Sequence, residues 1–170
     1  MARWLIFLLA LPLGGCLTQV KAPPNGRLIT YWTEPGFCMG ACPTFHLTVN
    51  SDGKGRLRHF DGRGELLGMR PIHVSRGQYE AFEMSLSPYR PVGEKIWYDA
   101  PPCKGLMSDQ GQIHIQWDGQ GRSDRLVFNL GCEVGDGDAM WNALDHAPQL
   151  LGLKGLPDPA SGSVATTRIR

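Results

Sequence analysis

Two stretches of strict alternation constrain this chain most. Over Thr44 to Asn50, Phe45, Leu47 and Val49 fall on one side and Thr44, His46 and Thr48 on the other. Ile113, Ile115 and Trp117 repeat the pattern, with Gln112, His114 and Gln116 opposite. A period of two belongs to a strand with one buried face, since a helix would scatter these residues around its circumference. Asn50-Ser51-Asp52-Gly53 is a turn signal that returns the chain through Arg56 to Phe60 as a hairpin. Asp118-Gly119-Gln120-Gly121 does the same for the second stretch, with Leu126, Phe128 and Leu130 on the returning strand.

Around these hairpins, Arg27 to Thr33 reads as a first strand and Gly68 to Val74 as a further one. Ser75 stands three residues before Gln78, the arrangement of a capping box, and Tyr79, Phe82 and Leu86 recur at helical spacing until Pro88. Tyr89 to Gly111 has no such periodicity and reads as a long loop. Asp136 and Asp138 suit the positive end of a last helix, whose buried stripe is Met140, Leu144 and Ala147 before Pro148. The expected fold is α+β: an antiparallel sheet with two helices packed on one face, in hairpin-helix-hairpin-helix order. Phe45-His46-Leu47 and Ile113-His114-Ile115 match in outline, which admits an internal duplication.

The ends carry a different signal. Arg3 precedes an apolar run from Trp4 to Leu11, and Leu13-Gly14-Gly15 stands directly before Cys16. The run is far shorter than the roughly 20 residues a spanning helix needs, so it reads as an export signal. Leu, a small pair and Cys form the lipoprotein processing pattern, in which Cys16 takes the lipid, palmitate among its acyl chains. Several chains on one residue hold firmly where a single chain binds marginally. The expected organisation is a signal peptide at 1–15, lipidated Cys16 and a flexible tether at 16–26, one globular domain at 27–153, and a disordered tail at 154–170 rich in Pro, Ser, Gly and Thr. Leu17 in place of an Asp after the lipidated cysteine points to the outer membrane, facing the periplasm, by the sorting rule of enterobacteria.

The chain of 170 residues has 17 Lys and Arg against 16 Asp and Glu, and loss of Arg3 with the signal balances them. A neutral chain of this kind lacks the overall basic character of a nucleic-acid binder, and no basic stripe is expected. Beyond Cys16, four cysteines remain for an oxidising compartment: Cys38, Cys42, Cys103 and Cys132. Four allow three pairings. Cys38 with Cys42, across a tight loop containing Gly40, and Cys103 with Cys132 is the favoured set.

Cys38-Met39-Gly40-Ala41-Cys42-Pro43, with His46 beyond it, offers soft ligands that copper prefers. The spacing is similar to the Cys-x-x-x-Cys-Pro of copper chaperones in respiratory assembly. Those have a thioredoxin fold and lead into a helix, whereas here the chain passes directly into an alternating strand. A structural bridge is therefore expected, with a metal or thiol site at Cys38, Cys42 and His46 as the alternative. His46 and His114 should share the sheet face away from the helices, near Thr44, Thr48, Gln112 and Gln116, where they form a candidate binding face; ordinary histidines on a solvated face are the simpler expectation. No nucleophile elbow, His-Glu-x-x-His or paired carboxylate setting occurs, and Asp99 before Ala100-Pro101 reads as a turn residue.

With these residues in place, the core resembles the bacterial lipoprotein domain catalogued as domain of unknown function 6438. The resemblance runs from about Leu28 to Leu151 and rests on Cys38-x-Gly40-x-Cys42-Pro43, Phe45, Asp52-Gly53, a helix opening near Ser75, and Asp99. Met39 stands where that family usually has an aromatic, and Gly62 to Arg70 is longer than its pattern. The resemblance implies an envelope-facing module without assigned chemistry. The expectation is thus a membrane-anchored, non-catalytic binding or structural module needing no cofactor, whose partner is an envelope protein or the cell wall. A periplasmic copper-handling or thiol-disulfide protein using Cys38 and Cys42 is the alternative.

Overall fold

A computed structural model describes residues 26–36, 44–97, 103–107, 109–134 and 137–156. The expectations at Cys16, Cys38, Cys42, Asp99 and the cap at Asp136 fall outside these residues.

The alternating segments form the sheet. Strands β1 (Arg27–Glu34), β2 (Thr44–Asn50), β3 (Lys54–Phe60) and β4 (Leu66–His73) precede helix α1 (Arg76–Leu86). Then come β5 (Glu94–Trp97), a two-residue β6 (Gly105–Leu106), β7 (Gln112–Gly119), β8 (Arg122–Asn129), a two-residue β9 (Cys132–Glu133) and helix α2 (Gly137–His146). The main sheet has seven strands in the order β4-β3-β2-β1-β7-β8-β5, antiparallel except for the β5–β8 pair. The result is a mixed α+β fold built on a large, mostly antiparallel sheet with two helices. Four strands before α1 and a parallel strand after it replace the simple hairpin-helix repeat.

Local chemistry explains the turns. Asn50 Oδ1 accepts the backbone N–H groups of Asp52 (3.1 Å) and Lys54 (3.0 Å), closing the first hairpin. Gly53 has φ 74°, and a Cβ there would lie 2.1 Å from the Val74 carbonyl oxygen, so only glycine fits. In the second hairpin β7 runs through Gly119, and the turn centres on Gln120 (φ 54°) and Gly121 (φ 75°), the two left-handed residues of a type I′ turn. The Ser75–Gln78 capping box is present, and α1 buries Tyr79, Phe82 and Leu86. Met140, Leu144 and Ala147 are buried as expected.

Ile29, Tyr31, Leu47, Val49, Leu57, Ile113, Ile115, Trp117, Leu126 and Phe128 form one core cluster, which residues from both helices join. Burying such side chains contributes about 25 cal/mol per Å² of apolar surface. Tyr31 stacks on Phe45 at 5.7 Å and donates its hydroxyl to the Leu144 carbonyl at 3.1 Å, tying β1 to α2.

The stretch expected as loop, Tyr89 to Gly111, contains β5 and β6. Glu-Lys-Ile-Trp has no period to reveal it; β5 forms because the outer edge of β8 offers unpaired backbone groups. Asp124 fixes its approach. Its Oδ2 accepts Nε of Arg90 and its Oδ1 accepts the Gly93 N–H and Nε of Arg122, each at 2.8 Å. Cys103 and Cys132 form a disulfide with Cα atoms 5.2 Å apart, the pairing favoured from sequence. It sits where β6 pairs with β9. Packed residues continue past 153, since Leu156 lies against the core.

Candidate functional site

On the sheet face opposite that core, strand register assembles a row that no single segment announces. Trp32 is directly opposite His46 on β2 and His114 on β7. Continuing outward, His46 faces Arg58, which faces Met69, while His114 faces Val127, which faces Ile96. One residue from each of the seven strands thus lines up across the sheet. Both candidate histidines share this face and flank the same indole.

The rings touch in sequence. Phe60 and His46 centroids are 4.6 Å apart, His46 and Trp32 5.9 Å, and Trp32 and His114 4.7 Å with planes only 14° apart. The Arg125 guanidinium lies 5.7 Å from the Trp32 ring, a cation–π contact, and pairs with Glu94 at 3.1 Å.

The face is not uniformly wet. His114 is 4% exposed and Val127 3%, whereas Arg58, Met69 and His73 are exposed. The expectation of two histidines on a solvated face is corrected at His114, because the neighbouring indole covers one side of the ring in place of water. His114 Nε2 lies 3.2 Å from Glu34 Oε1 without good hydrogen-bond geometry, and Nδ1 has no partner among the described residues. Burial lowers the His114 pKa, opposed by Glu34 and reinforced by Arg125. The His46 pKa is also lowered, by burial first and by Arg58 second. Both imidazoles therefore favour their neutral form, able to donate from one nitrogen and accept at the other.

Of the expected neighbours, Thr48 reaches Thr30 across the strand gap at 3.5 Å, and Gln116 donates to the Asp118 carboxylate at 2.9 Å. Sequence reading missed Trp32, Phe60, Arg125 and above all Glu34, the carboxylate beside His114. Parity within β1 was the available signal, because Ile29 and Tyr31 point inward and leave Trp32 and Glu34 outward. Which strands would flank β1 was not written locally.

Ser51 and Lys54 have the Ser-x-x-Lys spacing of some acylating enzymes. They occupy the β2–β3 turn, where Ser51 Oγ accepts the Arg27 N–H at 3.3 Å, so no helix places the amine one turn from the hydroxyl. Among the described residues no group of three or more His, Cys, Asp or Glu could hold a metal ion. Of the alternative ligand set Cys38, Cys42 and His46, only His46 lies within them. Among the described residues no helix is long and apolar enough to cross a membrane. No family model and no curated protein matches the chain.

Proposed function

We propose that this protein is a lipid-tethered module of the bacterial envelope that binds a partner through the sheet face bearing Trp32, His46 and His114, and performs no chemistry of its own. The observation that carries the reading is the pairing of both candidate histidines with one indole on the face away from the core cluster. Trp32 and Phe60 stay partly exposed beside the buried His114, and aromatic rings of this kind are enriched at binding interfaces because they supply large contact area and polar edges. The sequence supports the location through Leu13-Gly14-Gly15-Cys16, which would hold the domain at an outer membrane by acylated Cys16. The resemblance to the family of unknown function belongs to the same proposal. So does the duplication reading, supported by Phe45-His46-Leu47 and Ile113-His114-Ile115 holding matching places on either side of Trp32.

A photo-reactive amino acid placed at Thr48, beside His46 on the same face, tests this in intact cells. A discrete adduct from Thr48 and none from Glu80 on the exposed side of α1 is expected. Absence of any adduct from Thr48 sinks the reading.

The copper or thiol alternative keeps one support. The segment carrying Cys38 and Cys42 leaves β1 after Glu34 and enters β2 at Thr44, so it starts and ends beside the Trp32–His46 pair. Mass analysis of two parallel samples separates the readings: Cys38 and Cys42 that alkylate without a reductant in one, and retain Cu(I) in the other, unalkylated one, would put the alternative first.

A further inference from the structure

The chain is close to neutral overall, yet β3 gathers positive charge on the face described above. Lys54, Arg56 and Arg58 occupy alternate positions there, ending at Phe60. Opposite them stand Pro71, Met69 and His73 on β4, and Thr48, His46 and Thr44 on β2. Neither flanking strand places a carboxylate on this face. Its acidic residues lie elsewhere: Glu34 beside His114, Glu94 with Arg125, and Asp118 with Gln116. The expectation of no basic stripe, drawn from net charge, is therefore corrected locally. Strand pairing segregates charges that composition averages.

The stripe is open to solvent, since Lys54, Arg58, Met69, Pro71 and His73 are all exposed. Side chains on one face of a strand recur about every 6.6–6.8 Å, and those of an extended peptide recur at the same interval. The geometry points to an extended acidic peptide of a partner protein as the ligand, laid along β3 with carboxylates over the exposed Lys54 and Arg58 and an apolar residue against Phe60 and Met69. This rests on the proposed use of the sheet face for binding. It names the partner's chemistry.

Periodicity favours this ligand over a lipid surface, since alternate residues of β3 match the repeat of an extended chain and lipid headgroups carry no such repeat. Lys54 lies at the end of the sheet where β1 begins, because Ser51 bonds the Arg27 carbonyl, and Phe60 lies at the opposite end. An extended peptide of seven residues covers the row from Lys54 to Phe60 end to end. Three cations also fall short of the six to ten phosphate contacts, roughly, that many duplex-binding proteins make.

The test is fluorescence anisotropy with the full chain and a labelled peptide of four Glu-Thr repeats, against its Gln-Thr counterpart. Binding of the acidic peptide at least tenfold tighter than the neutral one is expected. Lys54→Gln with Arg58→Gln should weaken it at least tenfold at unchanged far-ultraviolet dichroism, while Lys104→Gln, an exposed cation on β6's side of the molecule, leaves it unchanged. The His46 imidazole pKa, read by NMR, should rise when the acidic peptide binds. Equal binding of both peptides, no binding at millimolar peptide, loss with Lys104→Gln, or tighter binding to inorganic polyphosphate or phosphatidylglycerol vesicles overturns the inference. A discrete Thr48 adduct with a partner lacking an acidic segment would overturn this inference alone. Absence of any Thr48 adduct would overturn the binding-face reading as well.

Discussion

Trp32 and His114 lie face to face, 4.7 Å between ring centroids and 14° from parallel, on the sheet face opposite the core cluster, where His114 is buried. Because one ring covers the other, removing either leaves a gap that water or neighbouring side chains must fill.

His114→Ala should therefore destabilise the fold by about 2 kcal/mol, the order expected for losing a buried ring and its stacking. His114→Phe should cost less than about 1 kcal/mol, since it keeps the ring and removes a nitrogen that lacks a partner among the described residues. Urea unfolding of both variants measures the difference. A loss for Phe as large as that for Ala would show that a polar contact at His114 governs stability.

The two lowered histidine pKa values predict an acid-side weakening. Unfolded histidines titrate near 6.5, and in the folded chain burial holds His46 and His114 below that. As pH falls the unfolded state takes up protons first, so stability is full above about 6.5 and declines as pH drops from there toward the folded values. Combining His46→Gln with His114→Phe should flatten the fall in urea midpoint that begins as pH drops below 6.5.

Asp124 acts at a lower pH. It is covered by its own partners, and the hydrogen bond from Arg122 leads the causes that hold its carboxyl at about 2 against an ordinary 3.8, with burial opposing and Gly93 and Arg90 assisting. Its contribution is present above 3.8 and is lost as pH falls toward 2. Asp124→Asn should shrink this acid-unfolding branch and speed hydrogen exchange at the Gly93 amide, which the carboxylate now holds at 2.8 Å. Unchanged exchange at Gly93 would mean that β5 is held by its pairing with β8 alone.

The Cys103–Cys132 bridge closes a separation of 29 residues. Chain-entropy arguments put its contribution at about 3–4 kcal/mol. Replacing both cysteines by serine should lower the urea midpoint accordingly, with exchange rising first at the β6–β9 pair. A shift below about 1 kcal/mol would mean that the unfolded chain is already constrained there.

Metabolic labelling tests the anchor. Palmitate should label the chain expressed in its host and be lost in Cys16→Ala, which should also release the protein from membranes. Labelling that survives this change rules out Cys16 as the acylated residue.

Period and punctuation wrote much of this fold into the sequence. Phe45, Leu47 and Val49 face the core because strand side chains alternate, the Asn50–Gly53 turn follows from an Asx contact and one left-handed glycine, and Ser75 with Gln78 starts α1 by bonds within four residues. Cys103 and Cys132 were legible as partners because few pairings were open. All of these depend on neighbours along the chain.

Tertiary structure decided what depends on neighbours across strands. β5 has no period of its own and exists because β8 had an open edge and Asp124 could hold Gly93. Glu34 meets His114, and both histidines meet Trp32, only because β1 is inserted between β2 and β7. The basic stripe on β3 is positive because the strands beside it bring no carboxylate to that face, and such pairing is fixed by the burial of the whole opposite face.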